Sequence, residues 1–447
     1  MDQHKEDQRT TVPHTVPFAA TPAREPPPVK EWANRCVWTE RMLATLKTGV
    51  RGGRWHALID KVFALASLIQ ASQRVLENKG AAGVDHQTTE EFGKDFLREV
   101  ERLSESLRQD TYRPQAIRRV WIPKPDSDEK RPLGIPTVRD RVVQAAVLQV
   151  LEPIFDVAFA DRSYGFRHGR GCHHALEDVE ALLAAGYVHV VDADLKSYFD
   201  TIPQDRLMER VRSKVSDSRV LQLVKMFLEQ KIMEDLSEWT PEAGTPQGAV
   251  LSPLLANIYL DPLDHELAGA GIAMIRYADD FVILCRSREE AEAALSRVQT
   301  WVQANGLTLH PAKTRIVDAR TEEFQFLGYV FRGRLRLPRE KSVDKLKDHL
   351  RTKTPRGRDG ELKEIIKSLN YTLKGWFSYF RHSTSTTFRP LDQWVRMRLR
   401  SILRQRAGRE GRGREQDHRR WPNAFFEHFE LFSLQTAHRA FCQSSRR

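Results

Sequence analysis

Acidic side chains lie at the ends of two apolar segments of this chain. Residues 187–195 have a β pattern with two aspartates near its end, and residues 271–285 predict a hairpin with Asp279 and Asp280 at its tip. Adjacent carboxylates repel each other and add nothing to a packed core, whereas divalent cations can bind between them and a third carboxylate. Two such cations about 3.5–4 Å apart serve phosphoryl transfer to a nucleotide. A polar hairpin turn is the alternative interpretation of Asp279 and Asp280 taken alone.

The elements that must position these carboxylates are strands and helices up to about residue 335 and helices alone after it. Asp192 and Asp194 share one face of their strand, because side chains alternate with a period of two. The order predicts an α+β fold followed by an all-helical region. The predicted strands lie at 117–123, 131–135 and 187–195 and in the hairpins 271–285 and 324–334. The predicted helices lie within 38–77, 89–108, 140–155, 203–215, 219–230, 288–305, 341–350 and 361–407.

Positive charge is concentrated in the last quarter of the chain. The whole sequence of 447 residues has a net charge of +11, but residues 331–447 alone hold 29 Lys and Arg against 12 Asp and Glu. Such a basic region is expected to contact a polyanion, and its aromatic rings could stack on unpaired bases. The alternatives are a solvated basic tail and, for the aromatic residues, an ordinary helical core.

The composition argues against several other classes of protein. The four cysteines form no C-x-x-C pair, which speaks against a zinc finger, a disulfide framework or an iron–sulfur cluster and fits a reducing cytosol. Residues 1–30 are polar and proline-rich, so we expect a disordered leader rather than a secretory signal. The longest uncharged stretch, 243–260, contains prolines and polar residues, so we expect no membrane-spanning helix.

Seven short motifs follow one another along the chain. Three of them are Tyr-Ala-Asp-Asp at 277–280, an acidic motif at 191–200 and Pro-Gln-Gly within 244–253, and the others lie at 80–85, 122–136, 163–167 and 326–329. In this order they resemble the motifs of group II intron-encoded reverse transcriptases. Three later segments, 369–371, 375–380 and 394–395, are similar to the maturase domain of that family, also called the thumb or X domain. The resemblance extends from about Thr39 to His438.

The resemblance implies roles for individual residues. Asp194, Asp279 and Asp280 match the ligands of two catalytic Mg²⁺ ions, which Mn²⁺ can replace, and Asp192 is then structural. Phe199 matches the ring that excludes a ribose 2′-hydroxyl, so deoxynucleotides are the expected substrates. The remaining nucleotide-binding residues are expected to be Lys124, Arg131, Gln247 and Lys313. Nucleic-acid contacts are expected from Tyr277, Trp376, Arg396, Arg398 and Arg400.

The resemblance also implies an architecture and partners. We expect a right-hand polymerase with an antiparallel palm sheet, located in the bacterial cytosol or nucleoid. The expected partners are group II intron RNA as template, a DNA primer or target and dNTPs, without zinc or membrane. The expected regions are a leader (1–30), an N-terminal helical extension (31–64), fingers and palm (65–335), a helical thumb (336–410) and a basic segment that could bind nucleic acid (411–447).

Some positions depart from the family pattern, and other functions stay open. His86, Cys172 and His173 differ from the residues usual there, but none is an expected metal ligand. After Trp421 the sequence lacks the paired C-x-x-C motifs of an H-N-H nuclease, so we expect no endonuclease. The alternatives are a domesticated reverse transcriptase of phage defence or CRISPR adaptation and a non-enzymatic splicing maturase. An RNA-dependent RNA polymerase is disfavoured by Phe199.

Overall fold

The computed structural model describes residues 28–50, 52–123, 130–235, 237–333, 335–409 and 415–444. The predicted disordered leader lies outside these ranges except for its last three residues, where a short helix already begins at Val29. The predicted fingertip residue Lys124 also lies outside the described residues. Within them, no helix has the length and apolar character needed to cross a bilayer.

Six helices precede the first strand. They are α1 (Val29–Trp32), α2 (Glu40–Thr48), α3 (Ile59–Phe63), α4 (Leu65–Glu77), α5 (Thr89–Lys94) and α6 (Phe96–Arg108). Thr88 starts α5 with a capping box, in which its hydroxyl accepts from the backbone of Glu91 and the Glu91 carboxylate accepts in return. The single helix expected over 89–108 is broken at Asp95, whose ψ of 28° leaves the helical region.

The described residues form eleven strands in three sheets. The strands are β1 (Ile117–Pro123), β2 (Lys130–Ile135), β3 (His189–Asp194), β4 (Ile232–Glu234), β5 (Ser237–Trp239), β6 (Ala273–Tyr277), β7 (Asp280–Cys285), β8 (Arg315–Asp318), β9 (Glu323–Phe326), β10 (Tyr329–Arg332) and β11 (Leu335–Pro338). The sheet orders are β2-β1-β4-β5, β6-β7-β3-β8 and β11-β10-β9. We call the first the fingers sheet and the second the palm sheet.

The palm sheet is antiparallel, as expected, and both of its faces are covered. Its central strand β7 is almost continuously apolar after Asp280, which is typical of a strand buried on two sides. Val191 and Phe281 point into a large core shared with the helices before β1, whereas Val190 and Val282 point into a second core on the opposite face. Asp194 and Asp280 lie at the ends of β3 and β7, so the sheet presents these two carboxylates at one edge, while Asp192 lies within β3.

The other helices complete the palm and form the C-terminal region. They are α7 (Val138–Asp156), α8 (Cys172–Ala184), α9 (Tyr198–Thr201), α10 (Gln204–Lys214), α11 (Ser218–Leu228), α12 (Ser252–Gly269), α13 (Arg288–Ala304), α14 (Glu340–Lys353), α15 (Leu362–Phe380), α16 (Phe388–Arg406), α17 (Glu415–Arg420), α18 (Asn423–His428) and α19 (Leu434–Ser444). The helical region that follows residue 338 agrees with the expected helical thumb.

The last helices pack onto the thumb. Trp421, Phe426 and Leu434 lie in the same apolar core as Leu369 of α15 and Leu399 of α16. The described part of the predicted basic segment 411–447 is therefore anchored to the thumb through its apolar side chains, while its arginines are distributed around them. This division of charged and apolar residues is not visible in the composition, which left a solvated basic tail open as the alternative.

Candidate active site

The register of the palm sheet brings two of the predicted carboxylates together. Asp194, at the end of β3, is the direct cross-strand partner of Asp280, the first residue of β7. Asp279 precedes it in the tight turn between β6 and β7, where Tyr277 pairs with Asp280. Three carboxylates from two neighbouring strands thus meet at the same edge of the sheet.

The turn that carries Asp279 is held in an uncommon backbone conformation. Ala278 has a φ of +61°, a region that residues with a side chain seldom adopt. Gly165 lies against it so closely that a Cβ atom there would come within 2.3 Å of the Ala278 backbone nitrogen. Only glycine permits this approach, which accounts for Gly165 in the motif at 163–167.

A buried arginine, Arg276, also holds this turn in place. The guanidinium of Arg276 donates to the Ala278 carbonyl at 2.8 Å, to Oδ1 of Asn257 at 2.9 Å and to the Ser163 hydroxyl at 2.7 Å. It also forms an ion pair with Asp264, and the Arg276 side chain is completely buried. The position of the carboxylates therefore depends on α12 and on the 163–167 segment as well as on the strands.

The carboxylates repel one another in this setting. Burial, reinforced by the nearby charge of Asp194, raises the pKa of Asp279. Burial and then the charge of Asp279 raise the pKa of Asp280 to about 7. A bound cation would counteract both effects, because it favours the ionised form of each carboxylate.

Lys313 supplies part of that positive charge. Its ammonium Nζ lies 2.6 Å from Oδ2 of Asp194, and its side chain is 61% exposed to solvent. The backbone amide of His310 donates to the Asp194 carbonyl at 2.7 Å and so holds the Lys313 loop against the end of β3. Asp192, by contrast, pairs with Arg315 at 3.5 Å, as expected for a structural carboxylate.

The donor set suits a hard divalent cation, although the ligands are not gathered into a cage. Asp194, Asp279 and Asp280 offer only carboxylate oxygens, which Mg²⁺ and Mn²⁺ prefer over nitrogen or sulfur ligands. No group of three acidic, His or Cys side chains among the described residues converges closely enough to enclose a metal ion. The residues therefore fit the chemistry of such ions, and nucleotide phosphates are the natural source of further oxygen ligands.

Two of the residues predicted to bind the nucleotide, Phe199 and Gln247, line a cavity of about 380 Å³. Phe199, Asp200 and the loop 241–247 form one wall, and the fingers sheet forms the other. The amide Nε2 of Gln247 donates to Oδ2 of Asp200 at 3.0 Å, and the Thr245 backbone amide donates to the Phe199 carbonyl at 2.7 Å. These bonds bring Phe199 and Gln247 into one pocket although 48 positions separate them in the sequence.

Very close backbone contacts hold β2 against Gln247 and Gly248 at the pocket. The Gly134 amide of β2 donates to the Gln247 carbonyl at 2.6 Å. A Cβ atom at Gly248, whose φ is +101°, would come within 2.5 Å of the Gly134 carbonyl oxygen. Arg131, on the same strand as Gly134, is exposed and pairs across the hairpin with Ile122. Because side chains alternate along a strand, Arg131 points to the face of the fingers sheet opposite Pro132 and Gly134, which line the cavity.

The residues predicted to contact nucleic acid have mixed surroundings. Tyr277 is half-buried, and its ring lies 6.5 Å from the exposed ring of Phe166. Arg396 is half-buried on α16. Arg398 donates from Nε to the Thr354 hydroxyl at 3.1 Å, and burial lowers its pKa. These three residues keep surface that a nucleic acid can reach.

The other two residues of this set have partners inside the protein. Arg400 is buried, and its guanidinium donates to the Trp421 carbonyl and to Oδ1 of Asn423, each at 2.9 Å. Its charge therefore anchors the C-terminal helices and is not available to a phosphate. Trp376 packs between the thumb core and the core on the palm sheet, with its ring 4.8 Å from that of Phe380. Trp376 therefore connects the core of the palm sheet to the core of the thumb.

Sequence reasoning missed three residues of the site. Arg276 stands inside an apolar strand, where a charged residue next to a Y-x-D-D box could have signalled a buried ion pair. Asp200 directly follows Phe199, but its bond to Gln247 exists only in the folded chain. Arg339 starts α14, and its charge counteracts the rise in the pKa of Asp280 that burial causes. Nothing in the basic composition of the thumb distinguishes Arg339 from its neighbours.

Two family models match segments of this chain. The family model for reverse transcriptase (RNA-dependent DNA polymerase) matches residues 122–331, and that for the group II intron maturase-specific domain matches residues 343–421. Among solved structures, a chain of a Cas6-RT-Cas1–Cas2 complex has a TM-score of 0.36 at 26% identity, covering 55% of this chain and 41% of that one. Telomerase from Candida albicans has a TM-score of 0.40 at 12% identity, covering 70% and 64%.

Curated relatives carry the family assignment. Group II intron-encoded protein LtrA from Lactococcus lactis subsp. cremoris is 39% identical over 196 residues, which are 43% of this chain and 32% of that protein. The chain thus spans about a third of the length of that relative. Protein YkfC from Escherichia coli (strain K12) is 32% identical over 331 residues, which are 65% of this chain and 86% of that protein. With both family models in the expected order, the chain belongs to the group II intron-encoded reverse transcriptase and maturase family.

Proposed function

We propose that this protein is an RNA-directed DNA polymerase encoded by a group II intron. It binds its intron RNA, assists the folding and splicing of that RNA, and copies it into cDNA from a primer at a DNA target. The observation that carries the proposal is the register of the palm sheet, which sets Asp194 opposite Asp280 beside the turn that holds Asp279. We place the protein in the bacterial cytosol or nucleoid, where RNA and genomic DNA are both accessible.

The three carboxylates are the proposed metal ligands. Reverse transcriptases as a family use divalent metal ions, and we propose two Mg²⁺, replaceable by Mn²⁺, on Asp194, Asp279 and Asp280. When bound, these ions activate the primer 3′-hydroxyl and stabilise the leaving pyrophosphate. The raised pKa values of Asp279 and Asp280 are consistent with this role, because a bound cation would offset the cost of ionising buried, neighbouring carboxylates.

The neighbouring side chains hold the nucleotide. Arg131 binds the triphosphate from β2, where a planar guanidinium suits phosphate oxygens, and Lys124 is a second proposed ligand of the triphosphate. Lys313 is mostly exposed beside Asp194, so its flexible ammonium can also reach a phosphate. Phe199 lies under the sugar and leaves no room for a 2′-hydroxyl, and Gln247, held by Asp200, lines the pocket of the new base pair.

The basic thumb binds the RNA and the primer–template duplex. Tyr277, Arg396 and Arg398 keep accessible surface for such contacts. Because this binding rests largely on phosphate neutralisation, we expect its affinity to fall steeply as the salt concentration rises. The loss of affinity with salt should be as large for an RNA of unrelated sequence, since phosphates carry no sequence information.

Primer extension on an RNA template tests the polymerase. The wild type is compared with an Asp279→Ala, Asp280→Ala double variant and with Asp205→Asn, which removes an exposed carboxylate on α10. We expect extension with dNTPs and Mg²⁺ by the wild type and by Asp205→Asn, and none by the double variant. A folded, RNA-binding wild type that extends no primer would refute the polymerase and leave the non-enzymatic splicing maturase.

Splicing is tested separately on a precursor RNA that contains the intron around this gene. We expect the protein to accelerate splicing at low Mg²⁺ concentration, and we expect the double variant to do so equally well, because its RNA-binding surfaces are unchanged. Acceleration by neither protein, with polymerase activity intact in the wild type, would remove the maturase part of the proposal.

A further inference from the structure

A cavity of about 560 Å³ lies where the palm meets the thumb. Three segments form its walls: Arg336 of β11, the turn 381–385 between α15 and α16, and residues 438–443 of α19. None of the residues proposed above to bind metal ions, the nucleotide or nucleic acid lines it. The cavity, which we call the joint cavity, is therefore separate from the candidate active site.

The walls of the joint cavity are basic. Among the described residues, no acidic side chain lines it, whereas three arginines do: Arg336, Arg381 and Arg439. Glu180 of α8 pairs with Arg336 at 2.5 Å and offsets that charge. Arg381 instead donates to imidazole nitrogens of His173 and His382, at 3.3 and 3.4 Å. The charges of Arg381 and Arg439 thus face the cavity without a carboxylate of the described chain in ion-pair contact.

The same walls hold a buried polar group without a partner. Ser383 is 2% exposed, and its hydroxyl has no hydrogen-bond partner in the part of the chain that the structure describes. Buried hydroxyl groups are normally paired, because an unpaired one loses its bonds to water without replacement. A ligand in the joint cavity that accepts from Ser383 would remove this cost.

The turn that carries Ser383 is fixed before anything binds. The Thr384 amide donates to the Arg336 carbonyl at 2.8 Å, and the Arg336 amide donates to the Thr384 hydroxyl at 3.0 Å. These two bonds hold the turn 381–385 against β11. The donors of the joint cavity are therefore gathered by the fold itself.

The two histidines of the joint cavity add no positive charge near neutral pH. Burial, followed by the charges of His173 and Arg381, lowers the pKa of His382 to about 3, and burial lowers the pKa of His438. An anion in the cavity would counteract the part of the His382 shift that its positive neighbours cause. The arginines remain the charged anchors for such an anion.

We propose that the joint cavity binds a phosphate group and thereby ties the C-terminal helix α19 to the palm. Guanidinium groups match the oxygens of phosphate in geometry and charge, and the Ser383 hydroxyl supplies a neutral donor. The cavity is larger than a free phosphate ion, so it also admits a phosphate ester. The same phosphate oxygens are presented by the backbone of RNA and by a small phosphate compound, and the experiments below distinguish these two sources.

Cys442 allows the test to be made on the unmodified protein. It lines the joint cavity, and its Sγ lies 3.5 Å from Nε2 of His438. The protein is alkylated with iodoacetamide at pH 7.5 in increasing concentrations of inorganic phosphate, with chloride adjusted to keep the ionic strength constant. Mass spectrometry measures the rate at each cysteine. We expect phosphate to slow the alkylation of Cys442 and to leave that of Cys36, which is exposed outside the cavity, unchanged.

Variants show whether the proposed donors cause this protection. The phosphate concentration that halves the Cys442 rate measures the affinity. Arg439→Gln removes an exposed guanidinium from the cavity wall, and losing a hydrogen bond from a charged group costs about tenfold in affinity or more, so we expect that concentration to rise by this factor. Ser383→Ala should raise it about threefold or more.

The control is Arg419→Gln, which removes an exposed arginine of α17 outside the joint cavity and should keep the wild-type value. Equal phosphate affinities in folded Arg439→Gln and Arg419→Gln would mean that phosphate acts only through general screening, and would overturn the site.

A second set of alkylations identifies the source of the phosphate group. The wild type is alkylated in chloride alone, with and without the intron RNA around this gene. Protection of Cys442 by the RNA, with a larger loss of RNA affinity in Arg439→Gln than in Arg419→Gln, would support the site and assign the phosphate to the RNA backbone. Protection by inorganic phosphate alone would support it with a small phosphate compound as ligand.

Protection of Cys442 by neither inorganic phosphate nor RNA would overturn the proposal. None of these measurements involves nucleotide addition, so a protein that fails to extend primers can still confirm or refute the phosphate site.

Discussion

Arg276 and Asp264 form an ion pair in which both side chains are buried, with exposures of 0% and 4%. Nε of Arg276 lies 2.8 Å from Oδ1 of Asp264, and the same guanidinium bonds to the carbonyl of Ala278 in the turn before Asp279. The pair therefore connects α12, a helix of the palm core, to the backbone that presents the carboxylates. Its members do no chemistry, but the position of the carboxylates depends on them.

Breaking this ion pair should destabilise the whole palm. We expect Arg276→Met to lower the free energy of unfolding by about 3–5 kcal/mol, because Asp264 is left as a buried, unpaired charge. The Arg276→Met, Asp264→Leu double variant should recover most of that loss. Urea denaturation measures both. A single variant as stable as the wild type would show that Asp264 is not buried as an ion.

Asp280→Asn should stabilise the protein in the absence of divalent ions. The pKa of Asp280 is raised to about 7 by burial and by Asp279, so at pH 8 its ionised form opposes folding, whereas a neutral amide of similar shape does not. We expect a higher melting temperature in EDTA together with loss of polymerisation, a trade between stability and activity. A lower melting temperature in EDTA would contradict the assigned electrostatics. The control Asp205→Asn removes an exposed carboxylate and should change neither the melting temperature in EDTA nor polymerisation.

Acid should weaken the contact between palm and thumb through His382. Burial, followed by the charges of His173 and Arg381, lowers the pKa of His382 to about 3 from its usual 6.5. Between pH 6.5 and pH 3 the unfolded chain binds a proton at His382 that the folded chain does not bind. The contribution of neutral His382 to stability is therefore complete above pH 6.5 and declines as the pH falls.

The measurement compares urea denaturation at pH 7.5 and pH 5 for the wild type and His382→Gln. We expect the wild type to lose more stability than the variant over this interval. Equal losses would mean that His382 is not held in its neutral form.

Asp200→Ala should impair nucleotide binding without affecting the carboxylates. Gln247 loses the acceptor 3.0 Å from its amide, so its side chain is free to leave the pocket. A hydrogen bond to a charged group is worth about 1.5–3 kcal/mol, so we expect KM for dNTPs to rise about tenfold. Asp200→Asn retains an oxygen acceptor and should recover part of the loss. Steady-state extension kinetics separate KM from kcat, and a fall in kcat alone would contradict a role in positioning Gln247.

Phe199→Val should relax the choice of sugar. The Phe199 ring lines the pocket and is held edge-on to Tyr198, with ring centroids 5.5 Å apart. A smaller side chain leaves room for a 2′-hydroxyl, and we expect the preference for dNTPs over rNTPs to fall about tenfold or more. Single-nucleotide incorporation measures the ratio of kcat/KM values. An unchanged ratio would show that another residue excludes ribose.

The parts of the site that follow from local pattern were predictable from the sequence. The two apolar arms of 271–285 on either side of a polar tip predicted the hairpin, and the structure confirms β6 and β7 with Asp279 and Asp280 at their junction. The β pattern of 187–195 likewise predicted β3. The apolar run of β7 is nearly continuous, as expected for a short strand buried on both faces.

The rest depends on contacts between distant segments. Strands β4 and β5 are three residues long and contain Glu234, Ser237 and Glu238, so no apolar alternation marks them. The pairing of β4 with β1 and of β5 with β4 nevertheless places Trp239 in the pocket. The sequence also offered no reason to separate Arg400, whose charge is buried against Trp421, from the accessible Arg396 and Arg398. Which arginines face solvent is decided by the packing of α17–α19, which composition does not encode.

The most direct test of the account is single-turnover addition of one nucleotide to a DNA primer on an RNA template. The wild type should add the complementary dNTP only when a divalent ion is present, and Asp194→Asn should slow the step about a hundredfold or more while the protein stays folded. A normal rate in Asp194→Asn, or full activity of the wild type in EDTA, would contradict the assignment of the palm-edge carboxylates as the metal-binding catalytic site.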